Sequence, residues 1–287
     1  MHYVGRFDEA SLKDPGIFQG RSEGAAAATL IDHTTGSVHT GLAINQLQPG
    51  GRVEPHVHSF EQGFYVLSGD LILMLGGRSH HLVPGDFAVA KVGTPHAWYA
   101  PGPHPGRLLS MSAPQPKPPG AERDTFFLKE RSVATSAPRL DLSDTKGDLL
   151  GHFDKSQIPP VAERSNVAAG LEGVFLKWMI DEEFGARHHR MLFIEYQPGV
   201  GIGLHDHTFE EAYFILEGEV QATLDGKQYT ARAGDVVWTS VGCVHAFRNV
   251  SSAPVRWLET FSPQPPKENV FRFMAEWDAR VRELEGQ

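Results

Sequence analysis

The chain repeats itself at a spacing of 149 residues, and this repeat constrains the fold more than any other feature. When residues 48–100 are aligned without a gap to residues 197–249, 17 of the 53 positions are identical. The identities fall largely on glycine, proline and histidine, including "QPG" at the start of each copy and a His-x-His soon after it. Repetition of this length indicates two structural units of one fold. We therefore predict two homologous units, at residues 1–117 and 150–266.

The two remaining segments have their own patterns. The first unit ends in a proline-rich stretch, "APQPKPPGAERD", and residues 118–149 are predicted to form a linker or an exposed arm. After the second unit, apolar residues recur at helical spacing with charged residues between them. This pattern predicts an amphipathic helix within residues 267–287, which packs on a barrel or on a partner subunit.

Short strands dominate both units. Apolar or alternating runs such as "GFYVLSGDLILMLGG" and "KQYTARAGDVVWTSVG" end at glycine, and the chain contains 30 glycines and 20 prolines. The sequences "LGGR" and "LDGK" are typical of β-hairpin turns. Many short strands at regular spacing favour an antiparallel barrel. We predict an all-β protein with two jelly-roll barrels in tandem and a C-terminal helix.

Composition excludes several classes of partner. The formal net charge of −9 opposes binding to nucleic acid, which requires a basic face. No apolar run approaches the ~18 residues that a membrane-spanning helix needs, and the first residues show no secretory signal. The single cysteine, Cys243, cannot form an internal disulfide. These features predict a cytoplasmic protein.

A cluster of ligand-type side chains opens the second unit. His205 and His207 are one residue apart, so on a strand both imidazoles point to one face, and Glu211 lies an even step further. His245 follows two hairpins later, so a neighbouring strand can bring its imidazole to the same face as those of His205 and His207. Three imidazoles and a carboxylate suit a divalent transition metal such as Fe, Mn, Ni or Zn. They also leave a coordination position open, which is typical of a catalytic site.

Tyr213 lies two residues beyond Glu211 and should share its face. Its phenol could orient a substrate or donate a proton, although a plain role in the wall is the alternative. We take Glu211 and Tyr213 as the candidate catalytic residues. Four further aromatic residues are candidates for the cavity walls: Phe64, Tyr65, Phe214 and Trp238.

The first unit carries the same histidines but not the same acid. His56, His58 and His96 match the second unit, whereas Gln62 stands where Glu211 would be. Glu61, beside it, aligns with Glu210 and should point away from the metal. A neutral amide donates less to a cation than a carboxylate does, so this site is expected to hold metal through three histidines and Gln62, more weakly.

The spacing of these residues resembles the signature of the cupin family, G(x)5HxH(x)3–4E(x)6G followed by G(x)5PxG(x)2H(x)3N. Residues 199–218 match the first motif, and residues 234–249 match the second except for Ser240 in place of proline. In the first unit Gln62, Lys91 and Ala100 depart from the pattern. The resemblance implies a bicupin, with two double-stranded β-helix barrels in tandem and assembly into a homo-oligomer.

Three functions are compatible with this resemblance. The three-histidine, one-glutamate shell is similar to that of cupin dioxygenases, which implies oxygenation of a small enol, phenol or oxo acid in the second barrel. The two-barrel layout resembles manganese-dependent ureidoglycine aminohydrolases, although that family has Glu and Gln where this chain has His205 and His245, and His in place of Glu211. The third possibility is a cupin that binds a small ligand or metal without catalysis.

Two other features have simpler interpretations. The sequence "RHHR" at residues 187–190 is expected to be a solvated turn, and His80 and His81 are expected on an outer turn or strand. Cys243 is expected to be a small buried residue.

Overall fold

The structure is a computed structural model that describes residues 1–18, 20–118, 120–161, 173–264 and 271–286. Strands account for about half of these residues, and the rest form short 3-10 turns, one helix and the connecting turns and loops. The strands form curled antiparallel sheets in two consecutive units. The predicted all-β fold with two tandem jelly-roll barrels is therefore confirmed.

One long strand, β3 (Gly41–His58), organises the first barrel. Its first half pairs with β9 and its second half pairs with β8, so the strand passes from one layer of the barrel to the other. The His-x-His at its end thereby lies opposite the start of β8. The other strands of this barrel are β2 (Ser22–Ile31), β4 (Glu61–Ser68), β5 (Leu71–Leu75), β6 (Arg78–Leu82), β7 (Asp86–Ala90), β8 (His96–Tyr99), β9 (Gly106–Ala113) and β10 (Thr125–Phe127).

The second barrel repeats this plan with the long strand divided in two. One layer has the order β12-β13-β20-β15-β18 and the other β17-β16-β19-β14. The strands of this barrel are β12 (Val174–Ile180), β13 (Arg190–Tyr196), β14 (Gly201–Asp206), β15 (Glu210–Glu217), β16 (Glu219–Leu224), β17 (Lys227–Arg232), β18 (Asp235–Thr239), β19 (His245–Arg248) and β20 (Val255–Ser262).

Each barrel is completed by a strand from the other half of the chain. The first strand, β1 (His2–Arg6), pairs with β18 of the second barrel, and β11 (Leu149–His152) pairs with β7 of the first barrel. Without these partners β7 and β18 would be open sheet edges with unpaired backbone groups. The predicted units 1–117 and 150–266 therefore follow the sequence repeat but do not coincide with the sheets. A strand from the start of each unit belongs to a sheet of the other barrel.

An apolar core joins the two barrels. Tyr65, Phe214 and Trp238 belong to a buried cluster with residues of both barrels, among them Phe87, Met111, Met191 and Phe193. These three aromatic residues were candidates for the cavity walls, and the structure places them between the barrels instead. Alternation along the strand explains the difference, because Phe214 lies an odd step from Glu211 and so points to the opposite face.

Two buried carboxylates, one in each repeat, accept hydrogen bonds from a loop of the other repeat and so join the barrels. In the first, Glu61 accepts hydrogen bonds from the backbone N–H groups of Arg187 and His188, at 3.0 and 2.9 Å. Its carboxylate also lies 2.9 Å from Nδ1 of His189, whose side chain is fully buried. The prediction that residues 187–190 form a solvated turn is therefore wrong for His189 and Arg190, which are buried, whereas Arg187 and His188 are exposed. The backbone N–H groups of this loop meet a carboxylate from the other repeat.

The second carboxylate reproduces the first at the spacing of the repeat. Glu210 accepts hydrogen bonds from the backbone N–H groups of Val38, His39 and Thr40, at 2.8, 3.2 and 3.1 Å. The hydroxyl of Ser37 donates to it at 2.7 Å. We call Glu61 and Glu210, with the loops that they hold, the carboxylate clasps. Each clasp lies beside the residue at the acidic position of its barrel, Gln62 or Glu211.

The segments that follow each barrel also add short strands. Between residues 120 and 149 the chain forms an arm that lies against the first barrel, where β10 pairs with the end of β3. In the second barrel β21 (Arg272–Phe273) pairs with β14 in the same way, and the helix α1 (Met274–Glu285) follows it. The predicted helix is thus present but begins after β21, and residues 265–270 lie outside the described residues.

No helix in the described ranges is long and apolar enough to cross a membrane.

Candidate metal centres

Three imidazoles meet inside the second barrel. The nitrogens of His205, His207 and His245 lie within 4.8 Å of one another, and all three residues are buried. His205 on β14 lies directly opposite His245 on β19 in the strand register. The carboxylate of Glu211, at the start of β15, lies 3.0 Å from Nε2 of His207 and 3.2 Å from Nε2 of His245. The four residues proposed from the sequence therefore surround one point.

The second nitrogen of each imidazole is held by a backbone carbonyl. Nδ1 of His205 lies 2.8 Å from the carbonyl oxygen of Gly203. Nδ1 of His207 lies 2.8 Å from that of Phe209, and Nδ1 of His245 lies 2.9 Å from that of Cys243. A carbonyl oxygen only accepts, so the proton lies on Nδ1 and Nε2 keeps its lone pair. Metal-binding histidines are oriented in this way. The cluster therefore fits a divalent cation.

The first barrel holds the same arrangement of imidazoles. The nitrogens of His56, His58 and His96 lie within 4.8 Å of one another, and all three residues are buried. Their Nδ1 atoms contact the carbonyl of Glu54 at 2.7 Å, the hydroxyl of Thr125 at 2.9 Å and the carbonyl of Thr94 at 3.0 Å, respectively. Nε2 of His96 is buried and has no hydrogen-bond partner among the described residues. A bound cation would satisfy that nitrogen.

The fourth position separates the two centres chemically. Gln62 lines the same cavity as His58 in the first barrel, and its amide nitrogen donates to the hydroxyl of Ser112 at 3.4 Å. Glu61 points into its clasp, as alternation predicted, and offers no charge to this centre. The first barrel therefore has three neutral imidazoles and a neutral amide, whereas the second has a carboxylate.

Substitution of Gln62 by glutamate should strengthen metal binding in the first barrel. A carboxylate adds a negative charge beside the cation, and we expect the dissociation constant to fall on the order of tenfold, or about 1.4 kcal/mol. Titration against a chelator, in a His205→Ala background that leaves only the first centre, measures this change. An unchanged dissociation constant would show that residue 62 does not reach the cation.

Burial sets the protonation of the imidazoles. It lowers the pKa of His205 and of His96 to about 4. Burial would also lower the pKa of His207, but the neighbouring Glu211 carboxylate raises it. Burial by itself would raise the pKa of Glu211, yet the His207 and His245 imidazoles bring it well below its usual value. Glu211 is therefore ionised and available to a cation.

The metal-free protein should lose stability as the pH falls from 6.5 towards 4. An exposed imidazole has a pKa of 6.5, whereas His96 and His205 have pKa values of about 4 in the fold, so the unfolded chain takes up protons first. Their contribution is complete above pH 6.5 and is lost as the pH falls, by about 3 kcal/mol for the fully buried His96. The raised pKa of His207 offsets part of this loss.

Thermal unfolding in the presence of a chelator between pH 7.5 and 4.5 measures this dependence. A His96→Gln variant, which carries no titratable group at that position, should show a shallower dependence over the same range. A flat profile for the unsubstituted protein would contradict the assigned burial of the imidazoles.

A cavity of about 510 Å³ adjoins the centre of the second barrel. Most of its walls are aliphatic or aromatic, and Tyr213 faces it as alternation predicted. The Tyr213 hydroxyl donates to Glu211 and lies 3.2 Å from Nε2 of His245. Burial raises the pKa of this phenol well above its usual value, and the charge of Glu211 adds to the effect. Tyr213 therefore remains a proton donor.

Two parts of this site were not anticipated from the sequence. The rings of Phe271 and Phe273, from the segment after the barrel, lie 5.7 and 5.4 Å from the ring of His205 and form one side of the cavity. The carbonyl of Cys243 holds His245, while its thiol is buried and has a pKa raised to about 12 by that burial. The part played by Phe271 and Phe273 was missed because the apolar spacing of this segment predicted a helix. The contact of the Cys243 carbonyl was missed because no side-chain pattern indicates a backbone contact.

The cavity of the first barrel is similar in size and more polar. It has a volume of about 550 Å³, and Asn45, Gln62, Ser110 and Ser112 contribute to its walls. Phe64, expected as an apolar wall, is buried with its ring 5.9 Å from that of His96 and lines a smaller adjacent space. The two barrels therefore offer different surroundings to a ligand.

Comparison with known proteins identifies the repeated unit. Residues 43–112 and 192–261 each match the model of the cupin domain. An oxalate-binding protein of Thermotoga maritima is 35% identical over 108 residues, which cover 36% of this chain and 86% of that protein. The quercetin 2,3-dioxygenase of Bacillus subtilis is 25% identical over 227 residues, which cover 67% of this chain and 64% of that enzyme.

Solved structures extend the match over almost the whole chain. The structure of Lactobacillus farciminis oxalate decarboxylase in its formate complex superimposes with a TM-score of 0.68 at 17% sequence identity. The superposition covers 98% of this chain and 92% of that one. At this identity the likeness concerns the fold, which has two barrels in both proteins.

Proposed function

The chain belongs to the cupin superfamily, with two cupin domains in tandem, and from this we propose that it is a metal-dependent dioxygenase that acts on a small enol, phenol or oxo acid in the second barrel. One observation carries the proposal: three imidazoles and a carboxylate surround one point beside a largely apolar cavity of about 510 Å³. A cavity of that size can enclose a substrate of two or three rings. The similarity to a quercetin 2,3-dioxygenase supports the same reaction class.

The residues of the second barrel have distinct roles in this proposal. His205, His207, Glu211 and His245 would hold the cation, which would supply Lewis acidity and redox chemistry when bound. Glu211 is ionised and can accept the proton that an enol or phenol loses on binding. Tyr213, protonated and hydrogen-bonded to Glu211, fixes the orientation of that carboxylate and can donate a proton to the bound substrate. The aromatic walls hold a flat substrate and exclude water.

Oxygen consumption tests the proposal directly. The protein is stripped of metal, reloaded without oxygen with Fe(II), Mn(II) or Ni(II), and mixed with a panel of enols, catechols and flavonols in an oxygen-electrode cell. We expect stoichiometric oxygen uptake with at least one combination and none with a Glu211→Gln variant. Absence of uptake with every combination would remove the oxygenase function.

Substitution of Tyr213 by phenylalanine should lower the turnover number by about a hundredfold, the usual contribution of one positioned proton donor. The phenol is absent but the ring and the four metal-binding groups remain, so the metal content should not change. Steady-state oxygen uptake and metal analysis of the same sample measure the two quantities. A variant that loses metal together with activity would indicate that Tyr213 supports the centre and has no separate part in the reaction.

Binding without catalysis is the second candidate, because the chain is 35% identical to an oxalate-binding protein over 108 residues. Calorimetric titration with oxalate, together with an assay for its consumption, distinguishes a binder from an enzyme. Release of ammonia from ureidoglycine tests the hydrolytic alternative.

Assembly and location remain predictions. Trp277 and Leu284 on α1 are 46% and 51% exposed, and this uncovered apolar surface supports the expected homo-oligomer. The cytoplasmic location rests on the single cysteine.

A further inference from the structure

Two carboxyl groups besides that of Glu211 line the cavity of the second barrel: that of Glu276 on α1, which is exposed, and that of Glu259. Glu259 lies on β20 directly opposite Tyr213 in the strand register, and both side chains line the cavity. The indole N–H of Trp257 donates to one oxygen of Glu259 at 2.9 Å. The other oxygen has no hydrogen-bond partner among the residues that the structure describes. A polar atom is thus presented to a space with mostly apolar walls.

Its position relative to the metal centre is fixed by the same pairing. On β20 Phe261 lies opposite Glu211, and Glu259 lies two residues away on the same face. Two residues of strand correspond to ~7 Å. A ligand that reaches both the metal centre and Glu259 must therefore carry two polar groups, one at each end.

The first barrel has no carboxyl group at the equivalent place. Ser110 lies 149 residues before Glu259 and accepts a hydrogen bond from the side chain of Asn45 at 2.7 Å. The carboxyl group therefore belongs to the second barrel, which is also the barrel with the anionic ligand set. Its presence there is not a consequence of the repeated fold.

We infer that Glu259 determines the substrate specificity of the second barrel by hydrogen-bonding a polar group at the end of the substrate remote from the metal. The inference rests on the proposed function and narrows its substrate class. The substrate is then a flat, mainly apolar enol or phenol that chelates the cation at one end and carries a hydroxyl or carbonyl group at the other.

Burial determines the protonation state of Glu259, and with it the ligand groups that can hydrogen-bond to its carboxyl. It raises the pKa of Glu259 well above its usual value, and the charge of Glu211 raises it further. A neutral carboxyl group both donates and accepts a hydrogen bond, so it pairs with a hydroxyl or with a carbonyl oxygen. A ligand that fills the cavity without a polar group at this end would enclose the carboxyl without a partner, which selects against that ligand.

A matched pair of ligands tests the inference. 3-Hydroxyflavone and 3,4′-dihydroxyflavone have the same chelating end and differ by one hydroxyl at the far end. Dissociation constants are measured by quenching of tryptophan fluorescence, without oxygen, on the manganese-loaded protein and its variants. We expect the unsubstituted protein to prefer the dihydroxy ligand by on the order of tenfold, which is the contribution of one buried hydrogen bond.

The variants assign that preference to Glu259. Glu259→Leu should reduce it to less than about twofold, and Glu259→Gln, which keeps a donor and an acceptor, should retain most of it. Ser110→Leu, the matched change in the first barrel, should leave it unchanged, and metal content is measured throughout. The role of Glu259 would be overturned if Glu259→Leu preferred the dihydroxy ligand as strongly as the unsubstituted protein does. It would also be overturned if the unsubstituted protein bound both ligands equally well. Neither result would contradict the binding of flavonols to the second barrel. Failure of the unsubstituted protein to bind either ligand would instead remove flavonols as ligands, and the specificity inference with them.

Discussion

Replacing His205 with alanine is expected to remove the metal from the second barrel and to lower oxygen uptake by at least about a thousandfold. The imidazole contributes one of three neutral nitrogen donors around the cation, and its Nδ1 contact to Gly203 fixes the ring in place. Loss of one ligand leaves two imidazoles and Glu211, a set that binds divalent ions much less tightly. Metal analysis after dialysis should fall by one ion per chain.

The first barrel supplies the matched control. His56→Ala removes the equivalent imidazole at the spacing of the repeat and should lower the metal content while oxygen uptake stays close to that of the unsubstituted protein. The assignment of catalysis to the second barrel would be wrong if His56→Ala abolished uptake and His205→Ala preserved it. Retention of all metal by both variants would contradict the two centres themselves.

Replacing Glu210 with alanine is expected to lower the free energy of unfolding by about 3–5 kcal/mol. The carboxylate of this clasp accepts hydrogen bonds from three consecutive backbone N–H groups and from Ser37. Alanine would remove this acceptor at the junction of the barrels, where the backbone N–H of Thr40 is buried. The effect should be much larger than that of an ordinary surface charge because Glu210 itself is buried.

Urea unfolding measured by tryptophan fluorescence tests this expectation. Glu219→Ala is the matched control, since Glu219 pairs with Arg232 at the exposed surface and should change the free energy by less than about 0.5 kcal/mol. Glu61→Ala should resemble Glu210→Ala because its clasp has the same geometry. A Glu210→Ala protein as stable as the control would show that the clasp does not hold the barrels together.

Local patterns predicted the fold and most of the candidate metal centres. The 149-residue repeat predicted two barrels, and strand alternation predicted that Glu211 would face His207 and that Glu61 would face away. These predictions succeed because the side chains of a strand alternate between two faces, whatever the rest of the fold does. The same rule, applied to Phe214, would have removed it from the cavity walls, since it shares the face of Glu210.

Features that depend on distant partners could not be predicted in this way. The loop at residues 187–190 reads as a polar turn because the carboxylate that receives it, Glu61, lies in the other repeat. The pairing of β1 with β18 joins residues 229 to 237 positions apart, with no local signal at either end. Glu259 sits in an ordinary apolar strand, and only the shape of the cavity gives its carboxyl group a role.

The crossing of β1 into the second barrel has a consequence for biosynthesis. A ribosome that adds about 5–20 residues per second releases His2 roughly 10–50 s before Thr239, its partner in the sheet, is made. The first barrel can close much earlier, once β11 emerges and pairs with β7. Throughout that interval the nascent chain carries a strand with nothing to pair with, so the N-terminus is the segment that most needs protection by a chaperone before translation ends.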